Sequence, residues 1–312
     1  VVALVWLPNP PALLLHTVAS HGRSGIVPER PDILRTMTSA SSSAQLIFLD
    51  LDGTLIGKDQ TVPESARQAC EQAVEGGHTL FMCTGRSIPE IYPYLWDFGF
   101  SGCVAGAGSY VRVGQEVLLD ERVDPALIEP ITDVWRQLDG MWIWQGSDAM
   151  HPSEGFMEMF LETAGMKPQD WAPYAESVAP YLGEGLPKSS AKCTAYIPAG
   201  NTTYEQVRSL IPDSMDVTPG SVPAGNTLVF EVTPKGISKG TGIQLAARHL
   251  GFDIANTIAI GDSMNDLEAL KVAGRSVAMG GADPVIVAAA TFETATLEED
   301  GLARAFEKLV LI

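Results

Sequence analysis

The feature that most constrains this chain is an alternation of apolar runs and amphipathic segments that starts near residue 44, breaks off near 119 and resumes near 236. "QLIFLDL" is a continuous apolar run, the pattern of a strand buried on both faces. "VPESARQACEQAVEGG" follows as a helix, with Pro63 near its start and a glycine pair at its end. "HTLFMCTGR" predicts a second buried strand, "SIPEIYPYLWDFG" a second helix and "CVAGAGSYV" a third strand. That β-α-β-α-β order is the order of a parallel sheet with right-handed crossovers. Beyond residue 236, "SKGTGIQLAARHLG", "NTIAIGD", "SMNDLEALKVAG", "SVAMG" and "ADPVIVAAA" continue it as helix, strand, helix, short strand and helix.

Between residues 120 and 235 the rhythm differs. "DPALIEPITDVWRQL" predicts a helix capped by Asp124 with Pro125 at its first position. The strand "MWIWQGS", the helix "SEGFMEMFLETAG", the strand "AKCTAYIPAG", the helix "NTTYEQVRSLI" and the strand "NTLVFEVTP" follow, with a Pro- and Gly-rich loop over 167–190. The expected architecture is therefore α/β: a Rossmann-like parallel sheet core built from 45–119 and 236–312, with an α+β domain inserted at 120–235. Residues 1–44 are expected to be an N-terminal extension outside the fold. "VVALVWLPNPPALLLHTVAS" is apolar, but it lacks a basic leading segment, and Pro8, Pro10 and Pro11 interrupt it short of the roughly 20 residues a membrane helix needs. Met37 stands just before a polar leader, "TSASSSAQ".

The formal net charge of -18 narrows the partners, because nucleic-acid affinity rests on Lys and Arg displacing counterions and anionic lipid would be repelled. Nucleic acid and membrane are excluded as expected partners. Cys70, Cys83, Cys103 and Cys193 have neither metal-site spacing nor the density of a disulfide scaffold, so a reducing cytoplasm is the expected home, with the cysteines in the core.

Open parallel sheets bind ligands beyond the carboxyl ends of their strands. The sequence puts Asp50 and Asp52 at one such end, Thr84, Gly85 and Arg86 at a second and Asp262 at a third, with Asp266 one helical turn further on. Carboxylates gathered this way repel one another unless a cation or shared protons intervene. Oxygen donors with no His or thiolate nearby favour Mg2+, which takes one or two carboxylates, water and a substrate phosphate.

In order, "DLDGTL" at 50–55, "CTGR" at 83–86, "KG" at 239–240 and "GDSMND" at 261–266 resemble the four motifs of the haloacid dehalogenase superfamily. Each alone is a common turn or helix start; their joint order carries the likeness. The insert resembles the C2B cap of the Cof-type branch, as does the tail "VAMGGADPVIVAAA" followed by "EEDGLARAF". One departure is "AGAGS" at 105–109, where many relatives have Asn-Gly; it bears on substrate contacts.

The resemblance implies a Mg2+-dependent phosphatase acting on a small phosphorylated metabolite such as a sugar phosphate, pyridoxal phosphate or flavin mononucleotide. It makes Asp50 the nucleophile that forms an aspartyl phosphate and Asp52 the general acid and base. Gly53 and Thr54 would orient Asp52. Thr84 would hold a phosphoryl oxygen through hydroxyl and main-chain N–H, with Gly85, Arg86 and Asn265 near the phosphate and Lys239 neutralising its charge. Asp50, the Asp52 carbonyl and Asp262 would bind the metal, with Asp266 behind them or a further ligand. A phosphomutase and a silent binder of a phosphorylated ligand are the alternatives. For the leaving group, the cationic candidates are Arg122, Arg136, Lys167, Lys188, Lys192 and Arg208; Trp142 and Trp144 offer core packing or ring stacking.

Overall fold

The computed structural model describes residues 44–163, 172–200, 202–220 and 226–312, so the extension expected over 1–44 lies, apart from Ala44, outside the described residues. Strand β1 (Leu46–Leu49) is wholly buried, as its unbroken apolar run requires. Helix α1 (Glu64–Glu75) buries Ala66, Ala69, Cys70 and Ala73, a stripe at helical spacing, and β2 (Thr79–Cys83) follows. The helix expected after β2 is instead two 3-10 turns, Ile88–Glu90 and Pro93–Phe98, each with a proline in its first turn. A proline further inside a helix lacks the N–H and clashes with the preceding turn, so Pro93 divides the segment.

The expected third strand also divides. β3 (Phe100–Ala105) runs into a reversal at Gly106, Ala107 and Gly108, all at positive φ, and the chain returns as β4 (Tyr110–Val113) and β5 (Glu116–Asp120). Helix α2 (Pro125–Gln137) begins as expected, the Asp124 carboxylate accepting from the Ala126 N–H at 3.0 Å. Then come β6 (Met141–Gln145), β7 (Met150–Pro152), α3 (Phe156–Thr163) and α4 (Ala172–Val178). The stretch 167–190 is therefore not all loop: Pro173 sits in the first turn of α4, where a missing N–H costs nothing. The insertion closes with β8 (Lys192–Pro198), α5 (Tyr204–Leu210), β9 (Met215–Pro219) and β10 (Thr227–Pro234). The alternation resumes with α6 (Lys239–Leu250), β11 (Thr257–Gly261), α7 (Leu267–Val272), β12 (Arg275–Ala278), α8 (Pro284–Ala289), β13 (Phe292–Glu293) and α9 (Gly301–Lys308).

Eight strands form the larger sheet in the order β13-β12-β11-β1-β2-β3-β4-β5. Pairing is parallel from β13 to β3 and antiparallel from β3 to β5. Along β1, Ile47 and Leu49 face one helical layer and Leu46 and Phe48 the other, each packed into its own apolar cluster. Such side chains contribute about 1.5–3 kcal/mol apiece when fully buried.

A second, antiparallel sheet of order β7-β6-β8-β10-β9 carries α2 and α5 on one face, where Trp135 of α2 packs with Trp144, Val232 and Phe230 of the sheet. Its opposite face turns Ile143 and Tyr196 into the cluster that also holds Leu49 and Met82. Among the described residues no helix is long and apolar enough to cross a membrane.

Candidate active site

Parallel register sets Leu49, Met82 and Ile260 level, so the chain leaves the sheet along one edge at Asp50, at Thr84 and at Asp262. The Asp50 N–H still donates to the Ile260 carbonyl at 3.0 Å, which fixes its main chain while its carboxylate points past the sheet. The next turn closes tightly: Gly53 is at φ +85°, and a Cβ there would stand 2.5 Å from Asp262 Oδ2. Only glycine satisfies both demands.

Lys239 enters from the first turn of α6, whose Ser238 hydroxyl accepts from the Thr241 N–H at 3.2 Å. Its ammonium is buried and fully used, donating to Asp50 Oδ1 (2.7 Å), Asp266 Oδ1 (2.6 Å) and Asn265 Oδ1 (2.9 Å). Asp266 Oδ2 accepts from the main-chain N–H groups of Asp262 (3.1 Å) and Ser263 (3.0 Å). Both Asp266 oxygens are thus engaged, and the residue ties the lysine to the turn after β11.

The electrostatics follow from this crowding. Burial, with Asp266 adding to it, holds the Asp50 carboxyl well above the usual carboxylate range. The same two causes push Asp262 up to about 7. Burial would depress the Lys239 ammonium, but Asp266 and Asp50 beside it outweigh that and hold it well above its ordinary value. One oxygen each from Asp50, Asp262 and Asp266 lie within 4.8 Å of one another, and Asp262 Oδ1 is buried with no hydrogen-bond partner among the described residues. Hard oxygen donors, mutual repulsion and an orphaned carboxylate oxygen fit a divalent cation.

Asp52 is placed differently. Burial would raise its pKa, yet the Arg86 guanidinium lowers it overall, Nε donating to Oδ2 at 2.8 Å and Nη2 to Oδ1 at 2.6 Å. Arg86 also donates to the Glu90 carbonyl (3.0 Å) and Gln60 Oε1 (2.8 Å), so its guanidinium clamps Asp52 at the floor of the cleft that it lines. Thr84 is corrected in part. Its N–H donates to the Val104 carbonyl (2.8 Å), leaving only the hydroxyl, which accepts from the Arg86 N–H (3.0 Å), to serve a ligand. Thr54 is wholly buried, its hydroxyl without a partner among the described residues and its N–H bonded to the Leu51 carbonyl (3.3 Å); it underlies the loop and does not line the cleft.

Above these residues the second sheet forms the opposing wall of a cleft of about 590 Å³, its open mouth included, into which Asp50, Asp52, Gly85, Arg86 and Asn265 project from below. Alternate residues of β6, β8 and β10 face it, polar at one end (Gln145, Lys192, Thr194, Glu231) and apolar at the other (Ile143, Tyr196, Val229). Glu90, on the first 3-10 turn, accepts from Gln145 Nε2 and from the Tyr174 hydroxyl, both at 2.8 Å, and so bonds the wall to the floor. Sequence reasoning missed Glu90, Gln145, Tyr174, Thr194 and Glu231. The signal for two of them was present, since "LVFEV" and "MWIWQ" each set a polar residue in an otherwise apolar strand.

Of the cationic candidates, Lys192 alone lines the cleft among the described residues. Arg122 pairs with Asp120 and Asp148, Arg136 with Asp133 and Arg208 with Asp213, while Lys188 is exposed. Lys167 lies outside the described residues. Trp144 is fully buried, donating to the Thr132 hydroxyl at 2.9 Å, and Trp142 lies beneath the Arg136 guanidinium at 5.5 Å. Neither tryptophan offers its ring to the cleft.

Residues 47–306 match the family described as haloacid dehalogenase-like hydrolase. YkrA of Bacillus subtilis (strain 168), whose own name claims phosphatase activity only provisionally, is 29% identical over 279 residues, covering 86% of this chain and 99% of that protein. An HMP-PP phosphatase of Cronobacter sakazakii is 25% identical over 247 residues, covering 78% of this chain and 87% of its own length. The solved structure of the HAD subclass IIB sugar phosphatase BT4131 superposes with a TM-score of 0.70 at 25% identity, over 86% of this chain and 100% of the other.

Proposed function

This chain belongs to the haloacid dehalogenase-like hydrolase family and is a phosphoric monoester hydrolase for small phosphorylated substrates, and from that premise we propose a Mg2+-dependent mechanism through an aspartyl phosphate on Asp50. The observation that carries this reading is the convergence of Asp50, Asp262 and Asp266 around the buried Lys239 ammonium.

Asp50 attacks phosphorus, the ester oxygen leaves with the alcohol, and water then attacks the acyl phosphate to release inorganic phosphate and restore the carboxylate. Lys239 and the Asn265 amide offset charge on the transferring group, and the Thr84 hydroxyl donates to one of its oxygens. Asp50, the Asp52 carbonyl and Asp262 would hold the metal, which when bound relieves the carboxylates' repulsion and draws charge from the phosphoryl oxygens.

Asp52 protonates the leaving alkoxide and then deprotonates the water. The Arg86 clamp favours its ionised form, the one needed in the second step; a phosphate dianion arriving beside it raises its pKa toward the first. The second sheet and its helices, residues 120–235, act as a cap that excludes bulk water. The four unpaired, buried cysteines suit a reducing cytoplasm.

The test is phosphate release from a panel of sugar phosphates, pyridoxal phosphate, flavin mononucleotide and nucleotides, with Mg2+ or with EDTA, comparing wild type with Asp50→Asn. We expect turnover that vanishes in EDTA and in the variant. Turnover that survives Asp50→Asn would sink the covalent route.

A further inference from the structure

The Arg86 guanidinium can aim Asp52 only if it is itself fixed. The Glu90 carbonyl holds one end through Nη1 (3.0 Å), and the guanidinium lies over the Tyr92 ring, 4.9 Å from Cζ to the ring centre. Nη2, which donates to Asp52 Oδ1 at 2.6 Å, also donates to Gln60 Oε1 at 2.8 Å. The Tyr92 hydroxyl donates to that same Gln60 oxygen, again at 2.8 Å. A guanidinium only donates, so the Gln60 amide must present its oxygen here and not its NH2. One side-chain carbonyl thus ties the arginine to the ring beneath it, on the side that faces Asp52.

Gln60 takes this place in an unfavourable backbone conformation. Its φ is +61°, in the left-handed region where a Cβ crowds the following carbonyl and which glycine and asparagine enter more readily. The turn that carries it closes without its side chain. The Gly57 N–H donates to the Thr61 carbonyl (2.8 Å), the Gln60 N–H to the Gly57 carbonyl (2.9 Å), and the Asp59 carboxylate accepts from the Thr61 N–H (3.0 Å) and hydroxyl (2.7 Å). Its start is fastened to the Asp52 loop, where the Gly53 N–H donates to the Ile56 carbonyl (2.9 Å). A turn needed only to reverse the chain would be better served by glycine at position 60. Strain at a residue whose side chain braces the arginine on Asp52 points to a role for that side chain.

We propose that Gln60 is a positioning residue for the acid step: by locking Arg86 it keeps the Asp52 carboxyl aimed at the departing ester oxygen. The inference rests on the phosphatase reading above, with Asp52 as proton donor, and adds the residue that sets the donor's aim. Gln60 does not line the cleft and acts through Arg86. An alcohol of low acidity needs the proton as it leaves, whereas a nitrophenolate leaves without it. Lost aim therefore slows esters of weakly acidic alcohols and spares those of acidic phenols. A general loosening of the site slows both alike.

The experiment measures kcat/KM of the Mg2+-loaded full chain for p-nitrophenyl, p-chlorophenyl, phenyl and p-methoxyphenyl phosphate, a series of nearly constant shape and falling leaving-group acidity. This quantity covers the steps up to departure of the alcohol, so the later work of Asp52 on water does not enter. Wild type should be nearly level across the series. Gln60→Met, which keeps the length and removes the acceptor, should lower the p-methoxyphenyl value about 10-fold more than the p-nitrophenyl value, a part of the roughly 10²- to 10⁴-fold that a placed acid supplies. Gln60→Gly should give the same slope at a melting temperature no lower than wild type, because glycine relieves the left-handed backbone. The slope is taken within one preparation, so partial unfolding of a variant cancels. A uniform loss or no loss across the series in either variant overturns the proposal and leaves the phosphatase reading standing. A steep series in the wild type overturns it as well, since Asp52 would not then be donating. No turnover of any ester by the wild type overturns both.

Discussion

Asp262 is a carboxylate that the metal-free protein does not want ionised. Burial and the neighbouring Asp266 raise its pKa to about 7, whereas in the unfolded chain it returns to the ordinary range near 4. Between those values the native state binds more protons than the unfolded state, so this group's contribution to stability falls as pH rises through the window and is most unfavourable above it. In EDTA, therefore, wild type should lose more stability between about pH 5 and about pH 8 than Asp262→Asn, in which the titrating group is gone. Mg2+ should recover wild type at the upper pH by several degrees and the variant by much less. Thermal melts of both proteins under the four conditions check this, and parallel pH curves would contradict it. At this scale the sequence was legible where a residue's position follows from a strand end, as for Asp50 and Asp262, or from a helix start, as for Lys239. It was illegible where the role depends on a partner far along the chain. Arg86 meets Asp52 across 34 residues, and nothing in "CTGR" distinguishes a phosphate ligand from a carboxylate clamp.

The elements that aim these side chains depend on their ends. Helix α6 begins with reciprocal bonds, the Thr241 N–H to the Ser238 hydroxyl (3.2 Å) and the Ser238 N–H to the Thr241 hydroxyl (3.0 Å), and Lys239 is the very next residue. Ser238→Ala should cost about 1 kcal/mol of stability. It should also lower kcat/KM several-fold, because fraying of the first turn loosens the ammonium's hold on Asp50. Urea melts and steady-state kinetics separate the two effects; a stability loss with unchanged kinetics would show that Asp50, Asn265 and Asp266 fix the lysine without the cap. The core strands and α1, α2 and α6 were readable because hydrophobic period and terminal signals agreed. The segment after β2 misled because the spacing of Ile88, Ile91, Tyr92 and Leu95 is helical while Pro93 forbids the hydrogen bond that spacing needs. Gly106–Gly108 likewise hides a reversal inside an apolar run, since left-handed backbone at Ala107 has no composition signature of its own.

Across the whole molecule, the cleft exists only because two sheets meet at a seam that alternation of strands and helices cannot foretell. One buried side chain carries much of the polar bonding there. Glu90 Oε2 accepts from the Ser87 N–H (2.8 Å), the Ser87 hydroxyl (2.6 Å) and Gln145 Nε2 (2.8 Å), and Oε1 accepts from the Tyr174 hydroxyl (2.8 Å). Two of these donors belong to the core turn and two to the inserted elements, so the residue holds wall to floor beside the proposed nucleophile. Apolar contacts cross the same seam, where Phe156, Phe160, Tyr174 and Tyr196 share a cluster with Leu49 and Met82. Hydrophobic packing is non-directional and tolerates sliding, whereas four hydrogen bonds to one carboxylate fix an orientation. Glu90→Ala should therefore leave the larger sheet intact but remove the acceptor shared by the Ser87, Gln145 and Tyr174 donors, at about 1–3 kcal/mol for each group that stays buried without another partner. Relief comes from the inserted sheet moving off the core and exposing them to water. Hydrogen exchange should then accelerate at the main-chain amides of β6 and α4 while those of β1 and β11 stay protected, and kcat should fall with KM rising as the cleft spends less time closed. Exchange that accelerates equally in both sheets would instead mean that Glu90 supports the core itself, and unchanged exchange in β6 would mean that the aromatic cluster alone holds the seam.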